Sequence, residues 1–291
     1  MSMRRLETGN MEFIELKLEE TEFQTLRAMV YRTAGISLAD SKKALVVSRL
    51  SRRLRELEFR TFHAYIGLLQ SDPGEIHVMI NRLTTNFTKF YREKHQFEVL
   101  TGQILPMILD GKKKKREVTL RIWSAGCSSG EEVYTLLFEV LKTLKDRFNN
   151  LSALDMKILG SDIDTNMLHK ARSGQYSDEE MRDLDHDTRE AYFDRNPPHG
   201  YRIKKELRPF VGFRRINLAY DEFLFKHPMD IIFCRNVVIY FNSDIRQTLY
   251  EKFHAVLNQP GFFFSGHSEN LFNYGHLFKL MEKSIYQKVV P

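Results

Sequence analysis

The stretch Val118-Thr-Leu-Arg-Ile-Trp-Ser-Ala-Gly-Cys-Ser-Ser-Gly-Glu-Glu132 decides the fold. Val118 to Ile122 alternates apolar and polar residues as a strand does, with Trp123 after it. Ser124 to Gly130 is a turn of small residues, and helical spacing then runs from Glu131 to about Phe148. The same grammar repeats downstream. Met156–Gly160 is predicted as a strand followed by a helix over Thr165–Ala171. Met229–Cys234 is a buried strand with a helix from about Asp244 to Leu257 behind it, and Gly261–Phe264 is another strand. Phe278 to Val289 reads as a terminal hairpin. Repeated βα units imply an α/β, Rossmann-like fold: a mainly parallel sheet with helices on both faces and ligands beyond the carboxyl ends of its strands. Tyr201–Leu207 and Val211–Ile216 break the rhythm after a Pro-Pro turn. They predict a small antiparallel β insertion at about 190–214, its second strand running on into the main sheet.

Upstream, residues 11–84 read as an all-helical domain, and 85–291 as the α/β domain. Thr21-Glu-Phe-Gln24 offers a capping box for the first helix. Further helices are expected over Ser37–Phe59, Thr61–Leu69 and Glu75–Leu83. Charge is unevenly spread: residues 1–116 hold 21 basic and 14 acidic side chains, whereas 117–291 hold 23 and 24. Lys112–Arg116 is expected to be a solvated loop. Within 42–60, Lys42, Arg49, Arg53 and Arg60 fall within roughly a 40° arc at ~100° per residue, beside a seam of Val47, Leu50, Leu54 and Leu57. Such a stripe suits an acidic partner. Nucleic acid is disfavoured, because only Phe59 adds an aromatic to this segment and no recognised nucleic-acid module is present.

Other classes fall away. No apolar run approaches the ~20 residues of a membrane span, so no membrane insertion is expected. Met1–Asn10 lacks the apolar core of a secretory signal. Cys127 and Cys234 form neither a disulfide framework nor a zinc spacing, so no metal is expected and a reducing cytoplasm is the simplest setting.

The turn after the first strand has Gly126 and Gly130 for tight backbone turns, but no lysine follows Gly130, which excludes a P-loop. Glu131 and Glu132 oppose a pyrophosphate and favour a neutral or cationic ligand such as S-adenosylmethionine; alternatively they only complement the helix dipole. Asp162 at the second strand's end suits a ribose, while Asp164 suits the helix cap. Arg235, Asn236 and Tyr240 stand at the same rim, or Arg235 and Asn236 merely close a loop.

Five ordered blocks now carry a resemblance: Asn86-Phe-Thr-Lys-Phe-Tyr-Arg-Glu93, Trp123–Glu132, Ser161-Asp-Ile-Asp164, Phe233-Cys-Arg-Asn-Val-Val-Ile-Tyr-Phe241 and Gly266-His-Ser-Glu-Asn270. From about residue 15 to 288 the chain resembles the CheR-type chemotaxis receptor methyltransferases, S-adenosylmethionine-dependent protein-glutamate O-methyltransferases. The resemblance implies cofactor contacts at Asn86, Thr88, Arg92, Gly126, Glu132, Asp162, Asn217, Leu218, Arg235 and Asn236, with Arg92 and Tyr240 at the reaction centre. It departs at Gly126-Cys127, where smaller residues are usual. It also implies that the helical domain docks the cytoplasmic helices of chemoreceptors, and so receptor arrays, through Lys42, Arg49, Arg53 and Arg60. In some relatives the β insertion binds a tether peptide by strand addition; here the turn Asp194–Gly200 is short for that subgroup, which argues against a tether.

Overall fold

The computed structural model describes residues 16–115, 119–147 and 155–290. Residues 11–15, Arg116, Val118 and Phe148, which enter the expectations above, lie outside them. The chain forms two compact units, one of residues up to Thr33 with Leu38–Leu83, the other of Ala34–Ser37 with Thr84 onward.

Among the described residues, the first unit is built of helices α1 (Glu20–Ala34), α2 (Lys43–Glu56), α3 (Phe62–Ser71) and α4 (Pro73–Leu83). The cap of α1 sits two residues earlier than Thr21 and Gln24 predict. The Glu19 N–H donates to Glu22 Oε2 at 2.8 Å, and Thr21 is already inside the helix. Thr61 caps α3 through the Ala64 N–H, and Pro73 takes the first position of α4, where its missing donor costs nothing.

The basic stripe does not survive as drawn. Lys42 lies in a 3₁₀ turn before α2, and Arg60 lies beyond its end, so helical phase does not align them with Arg49 and Arg53. The buried seam is Val46, Leu50 and Leu54, one position off the predicted Val47. Arg53 faces inward: its Nε and Nη2 meet the two carboxylate oxygens of Glu75 at 2.8 and 2.6 Å. Glu75 is 5% exposed and also accepts from Tyr65 Oη at 2.9 Å. The bidentate pair gives a buried carboxylate the partner it needs.

The second unit opens with α5 (His95–Val99), a π-helical turn (Leu100–Ile104) and α6 (Leu105–Lys115). There follow β1 (Thr119–Ala125), α7 (Glu131–Arg147), β2 (Asp155–Asp162), α8 (Thr165–Ser173), β3 (Gln175–Tyr176), α9 (His186–Tyr192), β4 (Phe193–Arg195), β5 (Tyr201–Ile203) and β6 (Val211–Arg215). The unit ends with β7 (Met229–Cys234), α10 (Ser243–Val256), β8 (Leu257–Ser265), β9 (Phe278–Glu282) and β10 (Ile285–Lys288). Among the described residues the main sheet has the order β6-β2-β1-β7-β8-β10-β9, parallel from β6 to β8 and antiparallel beyond.

Alternation sends side chains to two cores. Leu120 and Ile122 of β1 join the core shared with α6 and α7, whereas Trp123 and Ala125 join that shared with α10. The order of connection reverses between β1 and β7, which makes their carboxyl ends the switch point at which folds of this kind bind ligands.

Two expectations need correction. The small sheet is β3-β5-β4, so it begins at Gln175, before the predicted 190. Val211–Arg215 joins the main sheet as expected, parallel to β2, but takes no part in the small one, while Lys205–Phe210 is a 3₁₀ turn. Lys112 is not in a solvated loop: it lies on α6, buried, with Nζ 2.9 Å from Asp230 Oδ1. Asp230 also accepts the Arg121 N–H at 2.8 Å and Asn258 Nδ2 at 2.7 Å. A charge inside is tolerable when it is matched this way.

Arg53→Ala strands the Glu75 carboxylate. We expect it to cost about 3 kcal/mol in urea unfolding of the full chain, with joint replacement of Arg53 and Glu75 by methionine recovering most of that loss.

Candidate active site

The turn after β1 is held against the end of β2. The N–H groups of Gly126 and Cys127 both donate to the Ser161 carbonyl, at 2.7 and 2.8 Å. Gly126 has φ +83°, and a Cβ there would stand 2.3 Å from Val237 Cγ2. Only glycine satisfies both the backbone and the space. Ser128 also adopts a left-handed backbone, φ +48°. That conformation aims its N–H at Asp162 Oδ2 (2.8 Å), while its hydroxyl donates to the Asn86 carbonyl (3.0 Å).

Asp162, half-buried, accepts the Asp164 N–H on its other oxygen at 2.9 Å. Burial outweighs these donors and pushes its pKa up to about 6. Asp164 does structural work. Its Oδ1 caps α8 through the Asn166 and Met167 N–H groups, and its Oδ2 accepts Thr84 Oγ1 (2.9 Å) and Asn86 Nδ2 (2.7 Å). Asp164 thus caps α8 as its position suggests, while Asp162 accepts two backbone donors at the end of β2.

Glu131 and Glu132 differ as well. Glu131 is buried against the Ser129 hydroxyl, and burial raises its pKa. Glu132 accepts Ser124 Oγ at 2.7 Å and Arg235 Nε at 2.6 Å.

Arg235 does not reach out from the rim. Its Nη1 donates to the Arg92 carbonyl (2.7 Å) and to Gln96 Oε1 (3.1 Å), and its guanidinium lies over Phe97 and Phe233. Gln96, which sequence reasoning missed, donates onward to the Ser265 carbonyl at 2.8 Å. Its only signal was a polar residue at a fully buried helical position.

Asn236 has φ +59°. Its N–H donates to Glu269 Oε2 at 2.9 Å, yet its Oδ1 is buried with no hydrogen-bond partner. Glu269 accepts the Ile239 and Gly266 N–H groups too, at 3.2 and 2.8 Å, so it braces this loop. His267 instead is half exposed, its Nε2 3.4 Å from His95 Nε2.

The remaining predicted residues lie on neighbouring loops. Asn217 and Leu218 are buried just past β6, where Asn217 Oδ1 accepts the Ala219 N–H. Thr88 and Arg92 are half-buried on the segment before α5; Arg92 Nη1 donates to the Phe87 carbonyl at 2.8 Å. Tyr240 is half-buried at the end of the 3₁₀ turn Val238–Tyr240. Among the described residues no cluster of His, Cys, Asp and Glu could hold a metal, and no helix is long and apolar enough to cross a membrane.

Residues 86–287 match the family model described as "CheR methyltransferase, SAM binding domain", and 21–84 match "CheR methyltransferase, all-alpha domain". Chemotaxis protein methyltransferase 2 of Pseudomonas aeruginosa is 40% identical over 283 residues, 96% of this chain and 95% of that one. The chemotaxis protein methyltransferase of Escherichia coli is 38% identical over 276 residues, covering 93% and 92%. That of Borreliella burgdorferi is 34% identical over 260 residues, covering 89% and 91%.

Removing the Glu269 brace leaves three backbone donors unmatched. Glu269→Ala is expected to destabilise the chain by about 2–4 kcal/mol in chemical denaturation, Glu269→Gln by clearly less.

Proposed function

Since the chain belongs to the CheR methyltransferase family, we propose that it transfers the methyl group of S-adenosylmethionine to glutamate side chains of chemoreceptors. The products are a glutamate methyl ester and S-adenosylhomocysteine, and the setting is the cytoplasmic helical region of the receptors. The observation that carries this reading is the set of groups at the switch point: Ser128 ties Asp162 to the segment bearing Asn86, Thr88 and Arg92, and Asn236 Oδ1 is a buried amide oxygen without a hydrogen-bond partner.

These groups fit the ligand's chemistry. Asp162 has acceptor capacity for ribose hydroxyls, and Asn236 Oδ1 awaits a donor such as an ammonium. Asn217 and Leu218 edge the pocket beside β6. Gly126 allows close backbone approach, and Glu132 and Arg235 hold the floor. The cosubstrate supplies an activated methyl group on a sulfonium.

The receptor's glutamate needs little help to react. With a reference pKa near ~4.3 it is already an anion at neutral pH, so no general base is required. The protein's contribution is orientation and exclusion of water. Arg92 is the group that holds the carboxylate, because a guanidinium pairs with two oxygens at fixed geometry and can leave one lone pair aimed at the methyl carbon. Tyr240 hydrogen-bonds the same carboxylate or sets its ring beside the sulfonium. On the helical unit, Lys42, Arg49 and Arg60 are exposed and offer positive charge to an acidic receptor bundle. Arg53 is spent on Glu75 and makes a poor probe of docking.

Labelled methyl transferred to receptor should return as methanol on mild base treatment; label stable to base, or transferred to RNA or DNA instead, overturns the reading. Arg92→Ala should abolish transfer while sparing S-adenosylhomocysteine affinity in calorimetry. Arg49→Glu should raise the receptor KM without moving that affinity. Asp162 brings a pH signature. Its ionised form accepts the hydroxyls, so affinity should be flat above about pH 7 and fall by up to tenfold per unit below about 6. Asp162→Asn should flatten that profile.

A further inference from the structure

The segment before α5 is anchored at two points. Asn86 is tied through its side chain to Asp164 at 2.7 Å and through its carbonyl to Ser128 Oγ at 3.0 Å. Phe90 is 1% exposed and meets the rings of Tyr176 and Phe193 edge-on, with centroids 5.0 and 5.8 Å away. Between these anchors Phe87 leaves 70% of its surface in water. A lone exposed aromatic is ordinary; one with a cation upon it at a reaction centre is not. The Arg92 guanidinium carbon lies 5.4 Å from the Phe87 ring centroid, and Arg92 Nη1 donates to the carbonyl of the same residue at 2.8 Å. The Arg92 backbone is fixed separately, its carbonyl accepting from Arg235 Nη1 at 2.7 Å.

Arg92 is thus secured at both ends. The buried Arg235 holds its main chain, and Phe87 holds its guanidinium with a ring face and a carbonyl. We propose that Phe87 is the positioning residue of the reaction, setting the plane from which Arg92 meets the substrate carboxylate. The inference deepens the role given to Arg92 and rests on it. Its energetics run the right way for catalysis. A cation–π contact is weak in water and strengthens when desolvated. A receptor helix arriving over the exposed ring would remove that water and tighten the contact as the carboxylate is engaged. An orientation gained in the bound complex raises turnover more than affinity. The carbonyl bond survives any side-chain change, so loss of the ring should give a partial defect.

The test compares Phe87→Ala, Phe87→Leu and Phe87→Trp with Arg92→Ala in the full chain. Methyl transfer to receptor and S-adenosylhomocysteine binding are both measured. Phe87→Ala and Phe87→Leu should each lower kcat by about tenfold, with receptor KM changed less than about threefold and S-adenosylhomocysteine affinity unchanged. Phe87→Trp, which keeps a ring face, should retain most of kcat. Three results would overturn the inference: kcat of Phe87→Ala within about twofold of the parent while Arg92→Ala is inactive, an effect confined to receptor KM, or full turnover in Phe87→Leu. Near-normal turnover in Arg92→Ala instead removes the role of Arg92 itself, and is told apart by that variant alone. Unchanged S-adenosylhomocysteine affinity in each Phe87 variant reports an intact fold.

Discussion

A guanidinium buried at the centre of an α/β domain must be matched on every side, and the matching of Arg235 organises the catalytic unit. It is 7% exposed and bonds Glu132 at the start of α7, the Arg92 carbonyl and the Gln96 amide. Leaving such a charge unpaired costs several kcal/mol, so these segments share one geometry or the charge is stranded. Gln96 extends the link to the end of β8 through the Ser265 carbonyl. The end of β7, the first turn of α7 and the segment that carries Arg92 are thereby locked together, with a polar network and two aromatic faces as the fastener. The placement of the Arg92 segment is a consequence of how one buried cation is satisfied.

The crevice above that network follows from sheet topology. β1 has β2 on one side and β7 on the other, so the chain leaves it in opposite directions and the strand ends part. Two of the loops at these strand ends use a left-handed backbone: Gly126 and Ser128 after β1, Asn236 after β7. Such positions are rare for residues with side chains and collect where the backbone must serve a ligand. At Ser128 the conformation aims an amide at Asp162. At Asn236 it hands the N–H to Glu269 and leaves the side-chain oxygen without a donor. A buried oxygen left unmatched by the fold is costly unless a ligand supplies the bond.

The fold was legible because its signals are local. Met229–Cys234 and Gly261–Phe264 are short, largely apolar runs, and the turns after β1 and β2 are marked by small and acidic residues. The capping role of Asp164 was legible for the same reason: capping is decided within three residues. What could not be read was pairing at a distance. Arg53 meets Glu75 only once α2 and α4 pack, and Arg235 meets Arg92 across 143 positions. Helical phase places Arg53 on a stripe with Lys42 and Arg60, but phase holds only while the helix lasts, and α2 covers only Lys43–Glu56. Gln175–Tyr176 was missed because a two-residue strand has no periodicity to detect.

Formal charge therefore says less about partners than its count suggests. Residues 195–217 hold seven basic side chains and one acid, enough to equal the net charge of the whole chain. Much of that positive charge is turned onto the protein's own carbonyls. Arg202 and Arg208 both donate to Ser173 at the end of α8, and Lys204 donates to Glu190. The last carbonyls of a helix lack intrahelical donors and carry the negative end of its dipole, so cations gathered there complete the helix. The same holds for Lys112, paired inside with Asp230, and for Arg53. A basic residue signals a partner only after the fold's own acids and carbonyls have taken what they need. On that criterion Arg53 and Lys112 are spent within the fold, whereas Arg92 keeps its guanidinium against an aromatic ring and a single carbonyl.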